Sequence, residues 1–385
     1  MRYTIDERHA RILELARLHG TIRVTDLAHQ LGMSTVTVRR DVETLAGAGR
    51  LERTRGAVSW PGAPQAAPRP ARRAGPEARS AGRLDGEGVT LGLVVPEAQE
   101  YFAEIVRGVR DAVHAAGAHL MLGLSGYDRD QDEEQPRRLL EAGAAGLLLS
   151  PGWMHDGSEQ EDSRLDFGVP TVLLERRAAP GTEAAEFDSV CSDHAAGAGL
   201  AVRHLLSLGR DGIALVAGGS ATTVAMRSGY EAALRVAGAQ PVLPPVELYT
   251  GKLDPGSLQR AAARLAEAVD AGTVDAAVVL SDTDAMIILQ TLRTIAPHID
   301  VPRDLALVAY GDQVAALSDL PLTAVAPPKY EVGQEAAELL LRRVRDRQAN
   351  GTRPAAPRHL ALLPELRVRR SCGGAASHDE AVRQA

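Results

Sequence analysis

The sequence predicts two kinds of folded unit. One is a small α+β head; the other is a large α/β body of two lobes, each a doubly wound parallel sheet. Three observations predict this. First, 385 residues exceed what one hydrophobic core ordinarily supports. Second, charge is segregated. Residues 1–88 hold 15 arginines and no lysine against 10 acidic residues, a net +5, so the remainder carries −12 of the chain's total of −7. A basic head on an acidic body points to a polyanion-binding module joined to something else. Third, from Val89 onward short, continuously apolar runs alternate with amphipathic segments, the pattern of strands covered on both faces.

The head is justified element by element. Thr4 precedes Glu7 at capping-box spacing, and Ile12, Leu15, Ala16 and Leu18 then recur at helical intervals as far as Gly20. A second short helix, about Thr25 to Leu31, buries Leu27, Ala28 and Leu31 and stops at Gly32. Ser34 is placed to cap a third. The run Thr35-Val36-Thr37-Val38 would read alone as a strand. However, Val38, Val42 and Leu45 share a face at i, i+4 and i+7, and β-branched residues cost a helix only some tenths of a kcal/mol each. The opposite face then presents Val36, Thr37, Arg39, Arg40, Glu43 and Thr44. Methyls, hydroxyls and guanidinium groups at a helix start suit a DNA major groove, where arginine pairs bidentately with guanine and hydroxyls hold phosphates. Glu52 to Trp60 reads as a β-hairpin wing with Arg53 and Arg55 directed at the DNA backbone.

The stretch RILELARLHGTIRVTDLAHQLGMSTVTVRRDVETLAGAGRLERTRGAVS resembles the DeoR-type winged helix-turn-helix of bacterial repressors, most specifically in the Ser-x-x-Thr-x-Arg-Arg-Asp run from Ser34 to Asp41. The resemblance implies a DNA-binding domain over 1–60, with Ser34, Thr35, Val36, Thr37, Arg39, Arg40, Arg53 and Arg55 at double-stranded operator DNA. Residues 61–88 are crowded with Pro, Ala, Gly and five arginines and nearly lack large apolar residues, so a flexible linker is expected there.

In the body, VTLGLVV, HLMLGL, AGLLLS, PTVLLE, GIALVAG, AAVVLS and LALVAY are the expected strands. No phosphate loop, zinc-ligating motif, nucleophile elbow or complete dinucleotide fingerprint accompanies them, and AGGSATT lacks the third glycine. Glu175, Asp282 and Asp312 stand at strand ends. Without a nucleophile or metal cluster beside them, hydrogen bonding to a polyol is the simpler role, so binding outranks catalysis and no cofactor or metal is expected. Cys191 and Cys372 are too few and too far apart for a disulfide framework. The first residues lack a signal-peptide apolar core and no run is long enough to span a bilayer, so a cytoplasmic protein away from the membrane is expected.

Six segments in order, from LGLVVPEAQEYFAEIVRGVRDAVHAAGAHLML through AMRSGYEAALRVAG to LPLTAVAPPKYEVGQEAAELLLRRV, make residues 89–372 similar to the effector domain of LacI-type repressors, which shares its fold with periplasmic sugar-binding proteins. The resemblance implies a cleft between lobes that binds a sugar or nucleoside-like effector, and a homodimer or homotetramer. It places the lobes at about 89–192 plus 322–345 and about 193–321 plus 346–370, with 371–385 as a disordered tail. Position by position it implies that Tyr101 and Phe102 cover the ligand and that Arg227 forks onto its hydroxyls. Asp128, Glu175, Arg176, Asp193, Ser281, Asp282 and Asp312 complete the site. Ser281 stands for the usual Asn, Gly311 for the first Asp of a pair, and Glu175 for Asp, which puts the common hexoses in doubt. Trp153 is a further stacking candidate. The reading is a ligand-responsive transcription regulator, a repressor of carbohydrate-utilisation genes. A solute-binding uptake component and a sugar-modifying enzyme are the rivals.

Overall fold

The computed structural model describes residues 9, 11–13, 21–23, 35–47, 50–54, 57–59, 88–98, 101–155, 165–177, 181–218, 221–242, 246–248, 256–350 and 356–374. The chain divides into two compact units, residues 1–80 and 81–385. In the first, helix α1 (Thr35–Gly47) lies where its apolar period predicts it, with Val38, Val42 and Leu45 buried together with Ile12 and Leu13. The buried Asp41 carboxylate meets His9 Nε2 at 3.3 Å. The wing is larger than the expected hairpin. Strands β2 (Glu52–Thr54) and β3 (Ala57–Ser59) are joined by β1 (Thr21–Arg23), antiparallel to β3 in the order β1-β3-β2. Three residues, one of them apolar, are too few to show a strand period in the sequence. The second predicted helix and the linker 61–87 lie outside the described residues.

In the second unit the first lobe is a six-stranded parallel sheet in the order β14-β8-β7-β6-β4-β5. Its members are β4 (Thr90–Val95), β5 (His119–Leu124), β6 (Gly146–Leu149), β7 (Thr171–Leu174), β8 (Asp188–Ser192) and β14 (His359–Leu362). Helix α2 (Tyr101–Ala115) packs on one face together with a long C-terminal helix, and α3 (Arg129–Glu141) covers the other. The second lobe runs β10-β9-β11-β12-β13-β15, parallel except at β15. It comprises β9 (Ile213–Gly218), β10 (Val246–Leu248), β11 (Ala276–Leu280), β12 (Ala306–Tyr310), β13 (Thr323–Ala326) and β15 (Glu365–Arg367). Alternate residues of β9, β11 and β12 feed opposite cores. Ile213, Leu215, Ala276 and Val278 meet α4 (His194–Ser207) and α5 (Ala221–Val236), while Ala214, Val216, Ala277 and Val279 meet α6 (Ser257–Asp270) and α7 (Asp282–Ile295). Helices α4 and α5 approach so closely at Gly229 that a Cβ there would stand 1.9 Å from the Ala195 carbonyl oxygen.

Three short connections join the lobes: Asp193 between β8 and α4, Pro327-Pro328 between β13 and α8 (Lys329–Asn350), and Leu363-Pro364 between β14 and β15. These correct the expected boundaries. The return to lobe 1 comes after Ala326, because β13 pairs with β12 and β15 inside the lobe 2 sheet. Residues 359–362, expected in lobe 2, pair with β8 of lobe 1. Apolarity marks a strand as buried but does not say which sheet buries it. The expected tail also begins too early. Ser371 and Cys372 are buried under lobe 2, where the Ser371 hydroxyl donates to Leu307 O at 2.6 Å and accepts from Thr323 N at 2.8 Å.

Candidate functional site

Parallel strands end together, so the loops that follow them converge on one edge. Here β11 delivers Leu280 and Ser281, β12 delivers Tyr310 and Gly311, and the loop after β12 supplies Gln313 and Val314. Thr222 comes from the start of α5, and Tyr101 and Lys329 face them from lobe 1, around a cavity of about 390 Å³. Ser281 caps α7: its hydroxyl accepts from Asp284 N at 3.4 Å and its own N–H donates to Asp284 Oδ2 at 3.3 Å. Asp282, only 2% exposed, is spent on backbone. Its Oδ2 accepts from the N–H groups of Gln313 (2.7 Å), Val314 (2.7 Å) and Ala315 (3.2 Å), and its Oδ1 accepts from Thr283 N at 3.1 Å. Gly311 fits this arrangement. Its φ is +104°, and a Cβ there would approach Asp282 Oδ1 to 3.2 Å.

Behind Tyr101 a polar chain crosses between the lobes. Glu175, at the end of β7 with a φ of +53°, accepts from the Ser192 hydroxyl at 2.8 Å and Ser192 N at 3.2 Å, and meets His194 Nε2 at 3.4 Å. His194 Nδ1 in turn lies 2.8 Å from the Tyr310 hydroxyl, so a lobe 1 carboxylate and a lobe 2 phenol share one imidazole. Burial pushes the Glu175 carboxyl up, but His194 and Ser192 outweigh it and hold the group below the usual range. Burial, with the Glu175 charge added, pushes the Tyr101 and Tyr310 phenols well above theirs. Tyr101 thus presents a neutral ring to the cavity, braced edge-on by Phe102 at 5.5 Å between centroids.

The structure brings Tyr101, Ser281 and Asp282 together at the cavity, with Glu175 one layer behind. The other expected ligand residues are engaged elsewhere. Phe102 is 3% exposed in the lobe 1 core, so it braces Tyr101 instead of covering a ligand. Asp128 and Asp193 cap α3 and α4, accepting from Gln131 N and Ala196 N. Buried Arg176 donates to the carbonyls of Pro151 and Glu175. Asp312 is held by Arg367 (2.7 Å) and Arg369 (2.6 and 3.0 Å), facing a neighbouring cavity of about 450 Å³. Arg227 is half-buried in α5 and is not among the described lining residues. Trp153 lies in a short 3-10 turn (Gly152–His155), and its side chain is outside the described residues. Thr222, Thr283, Tyr310, Gln313, Lys329 and His194 escaped the sequence reading. Tyr310 alone carried a signal, standing directly before the Gly-Asp remnant of the paired acids.

In the head, Arg40 and Thr44 are exposed on α1 opposite the buried Val38 and Val42. Thr35, Val36, Thr37 and Arg39 lie on the same helix and Arg53 lies on β2, while Ser34 and Arg55 fall outside the described residues.

Comparisons with known proteins agree with both halves. A model of the DeoR-like helix-turn-helix domain matches residues 8–61, and a model of the periplasmic binding protein-like domain matches residues 202–372. The HTH-type transcriptional regulator reg1 of Streptomyces lividans is 28% identical over 373 residues, covering 92% of this chain and 98% of the relative. A solved transcriptional regulator, CelR in complex with cellobiose, is 30% identical with a TM-score of 0.58, over 74% of this chain and 85% of that one. A putative LacI-family regulator from Sanguibacter keddieii is 28% identical at a TM-score of 0.58, over 74% of this chain and all of that one. By its two-lobed body this chain belongs to the LacI-type transcription regulators, and it carries a DeoR-like helix-turn-helix as its DNA-binding head.

Proposed function

We propose that the cavity between the lobes binds a small hydroxylated effector and that its occupancy changes the affinity of the head for operator DNA, so that the protein represses carbohydrate-utilisation genes as a dimer or tetramer. The observation that carries this reading is the composition of the cavity wall. Ser281, Thr283 and Gln313 come from lobe 2 and Tyr101 and Lys329 from lobe 1, so a ligand there contacts both lobes at once. A ligand shifts a two-state equilibrium only through contacts that differ between its states, and contacts to both lobes favour the closed one. CelR, solved with cellobiose, supports a carbohydrate-like effector. In the head, Thr35, Val36, Thr37, Arg39 and Arg40 are the proposed groove-facing residues and Arg53 a phosphate contact. The test is operator binding by fluorescence anisotropy with and without candidate sugars, alongside their effect on melting temperature, because a ligand of the folded state raises it. The reading requires Tyr101→Ala to weaken ligand binding and, with it, the ligand's effect on operator affinity. A ligand whose effect survives Tyr101→Ala binds elsewhere.

A further inference from the structure

Lys329 opens α8 immediately after the Pro327-Pro328 crossing. It is 3% exposed and lines both the cavity and its neighbour. Its ammonium stands 4.5 Å from the centroid of the Tyr101 ring, and among the described residues it makes neither a hydrogen bond nor an ion pair. A buried ammonium without a counter-charge carries a large desolvation cost, of which one aromatic face offsets only part. Burial accordingly draws its pKa below the ordinary 10.5, against the more distant Glu104, Asp282, Glu175 and Asp312. Those carboxylates are engaged or solvated. Asp282 holds the loop amides, Glu175 holds Ser192 and His194, Asp312 sits between two arginines, and Glu104 is exposed. Among the described residues lining the cavity, Lys329 is therefore the one cation, and no carboxylate is bonded to it.

We propose that the effector is a hydroxylated monocarboxylate, of the sugar-acid class, whose carboxylate seats on Lys329 while its hydroxyls meet Ser281, Thr283 and Thr222. This rests on the cleft reading above and adds a charge to it. Among the described residues the hydroxyls of Thr222 and Thr283 make no hydrogen bond, so they are open to a polyol. A carboxylate fits better than a phosphate on charge count. One ammonium matches one negative charge, no arginine is among the described residues lining this cavity, and Asp282 in the same wall opposes a second.

The experiment uses the full chain, with D-gluconate and D-galacturonate as acids, D-glucose and D-galactose as neutral partners, and D-glucose 6-phosphate, each at millimolar concentration in calorimetry and thermal melts. At least one acid is expected to bind more tightly than its neutral partner and the phosphate, by at least about tenfold, the size of one charge-assisted hydrogen bond. Lys329→Met keeps the length of the stem and removes the charge. It should lose that tenfold while the ligand-free protein melts no lower than wild type, because an uncompensated buried charge has gone. Lys329→Arg should retain part of the affinity. A Lys329→Met protein that melts lower and binds the acid unchanged would show a structural lysine and overturn the proposal. So would tighter binding of the phosphate, or no response to either acid. Binding of a neutral sugar that Tyr101→Ala abolishes overturns the charge assignment and leaves the cleft reading standing. An acid whose binding survives both Tyr101→Ala and Lys329→Met overturns both.

Discussion

The arrangement around Asp282 makes Asp282→Asn the sharpest test of how the cavity wall is held. In the wild type one buried carboxylate oxygen accepts three backbone N–H groups of residues 313–315, and the other accepts Thr283 N. An asparagine offers one oxygen, so whichever way the amide turns at least one N–H loses its acceptor and the remaining bonds lose their charge. A bond to a charged acceptor contributes about 1.5–3 kcal/mol and a neutral one about 0.5–1.5, a difference near 1 kcal/mol for each of three bonds before coupling. The expected destabilisation is therefore about 2–3 kcal/mol. At roughly 2–4 °C per kcal/mol for a body of this size, the melting temperature should fall by about 4–12 °C. Thermal melts of the ligand-free protein read the first quantity. Hydrogen exchange at the amides of Gln313, Val314 and Ala315 reads its location, and these should lose protection ahead of the strand amides of β12. An unchanged melting temperature and unchanged protection, together with a lost response to effector, would refute the reasoning. Asp282 would then be spent on the ligand and not on the loop.

Three further outcomes follow from particular contacts. Arg40→Ala, on the exposed face of α1, should cost about 1–3 kcal/mol on the cognate operator and little on random DNA, and equal weakening on both would make it a phosphate contact. Gly229→Ala drives a methyl into the Ala195 carbonyl oxygen, a backbone atom that cannot step aside, so a large fall in melting temperature is expected, and a melt within a degree of wild type would contradict the close α4–α5 approach. Glu175 has its folded pKa held below the ordinary 4.5, so the unfolded chain binds the proton first and the stabilisation is present above about pH 4.5 and lost as pH falls through the folded value. The gap in melting temperature between wild type and Glu175→Gln should therefore shrink below pH 4.5, and a gap constant from neutral to acid would put Glu175 outside the titrating network.

How much of this was legible in the sequence depends on what each residue had to say about itself. The seven continuous apolar runs are all strands, and in six of them burial on both faces accounts for apolarity at nearly every position, whereas β5, at the sheet edge, leaves Leu122 and Leu124 exposed. Strand β8, Asp-Ser-Val-Cys-Ser, is buried along its whole length and was invisible, since a polar strand can be buried only when distant partners satisfy it. Arg343 reaches from α8 to Asp188 with bonds of 2.6 and 2.7 Å, and Glu175 takes up Ser192. No local period encodes either pairing. The small strands β1, β10, β13, β14 and β15 were missed for the related reason that each is short and completed by a neighbour elsewhere in the sequence.

The same distinction separates the site residues. Residue type and strand-end position picked out Ser281, Asp282 and Asp312, but a carboxylate is open to a ligand only if nothing in the protein has taken it, and that depends on partners the sequence does not align. Asp312 is claimed by Arg367, on β15, and Arg369, just beyond it, 55 and 57 positions away, and Asp282 by a loop more than 30 positions on. Lys329 errs in the opposite direction. A lysine at the start of an amphipathic helix reads as solvated, and only the return of the chain through Pro327-Pro328 sets it against Tyr101 and out of water. Most residues that announced themselves as ligand groups are engaged within the fold, while Lys329, which the sequence pattern did not single out, is buried beside the cavity with no ion pair among the described residues. Burial without a partner, which appears only in three dimensions, is therefore the better guide to where this protein has left room for something it does not itself contain.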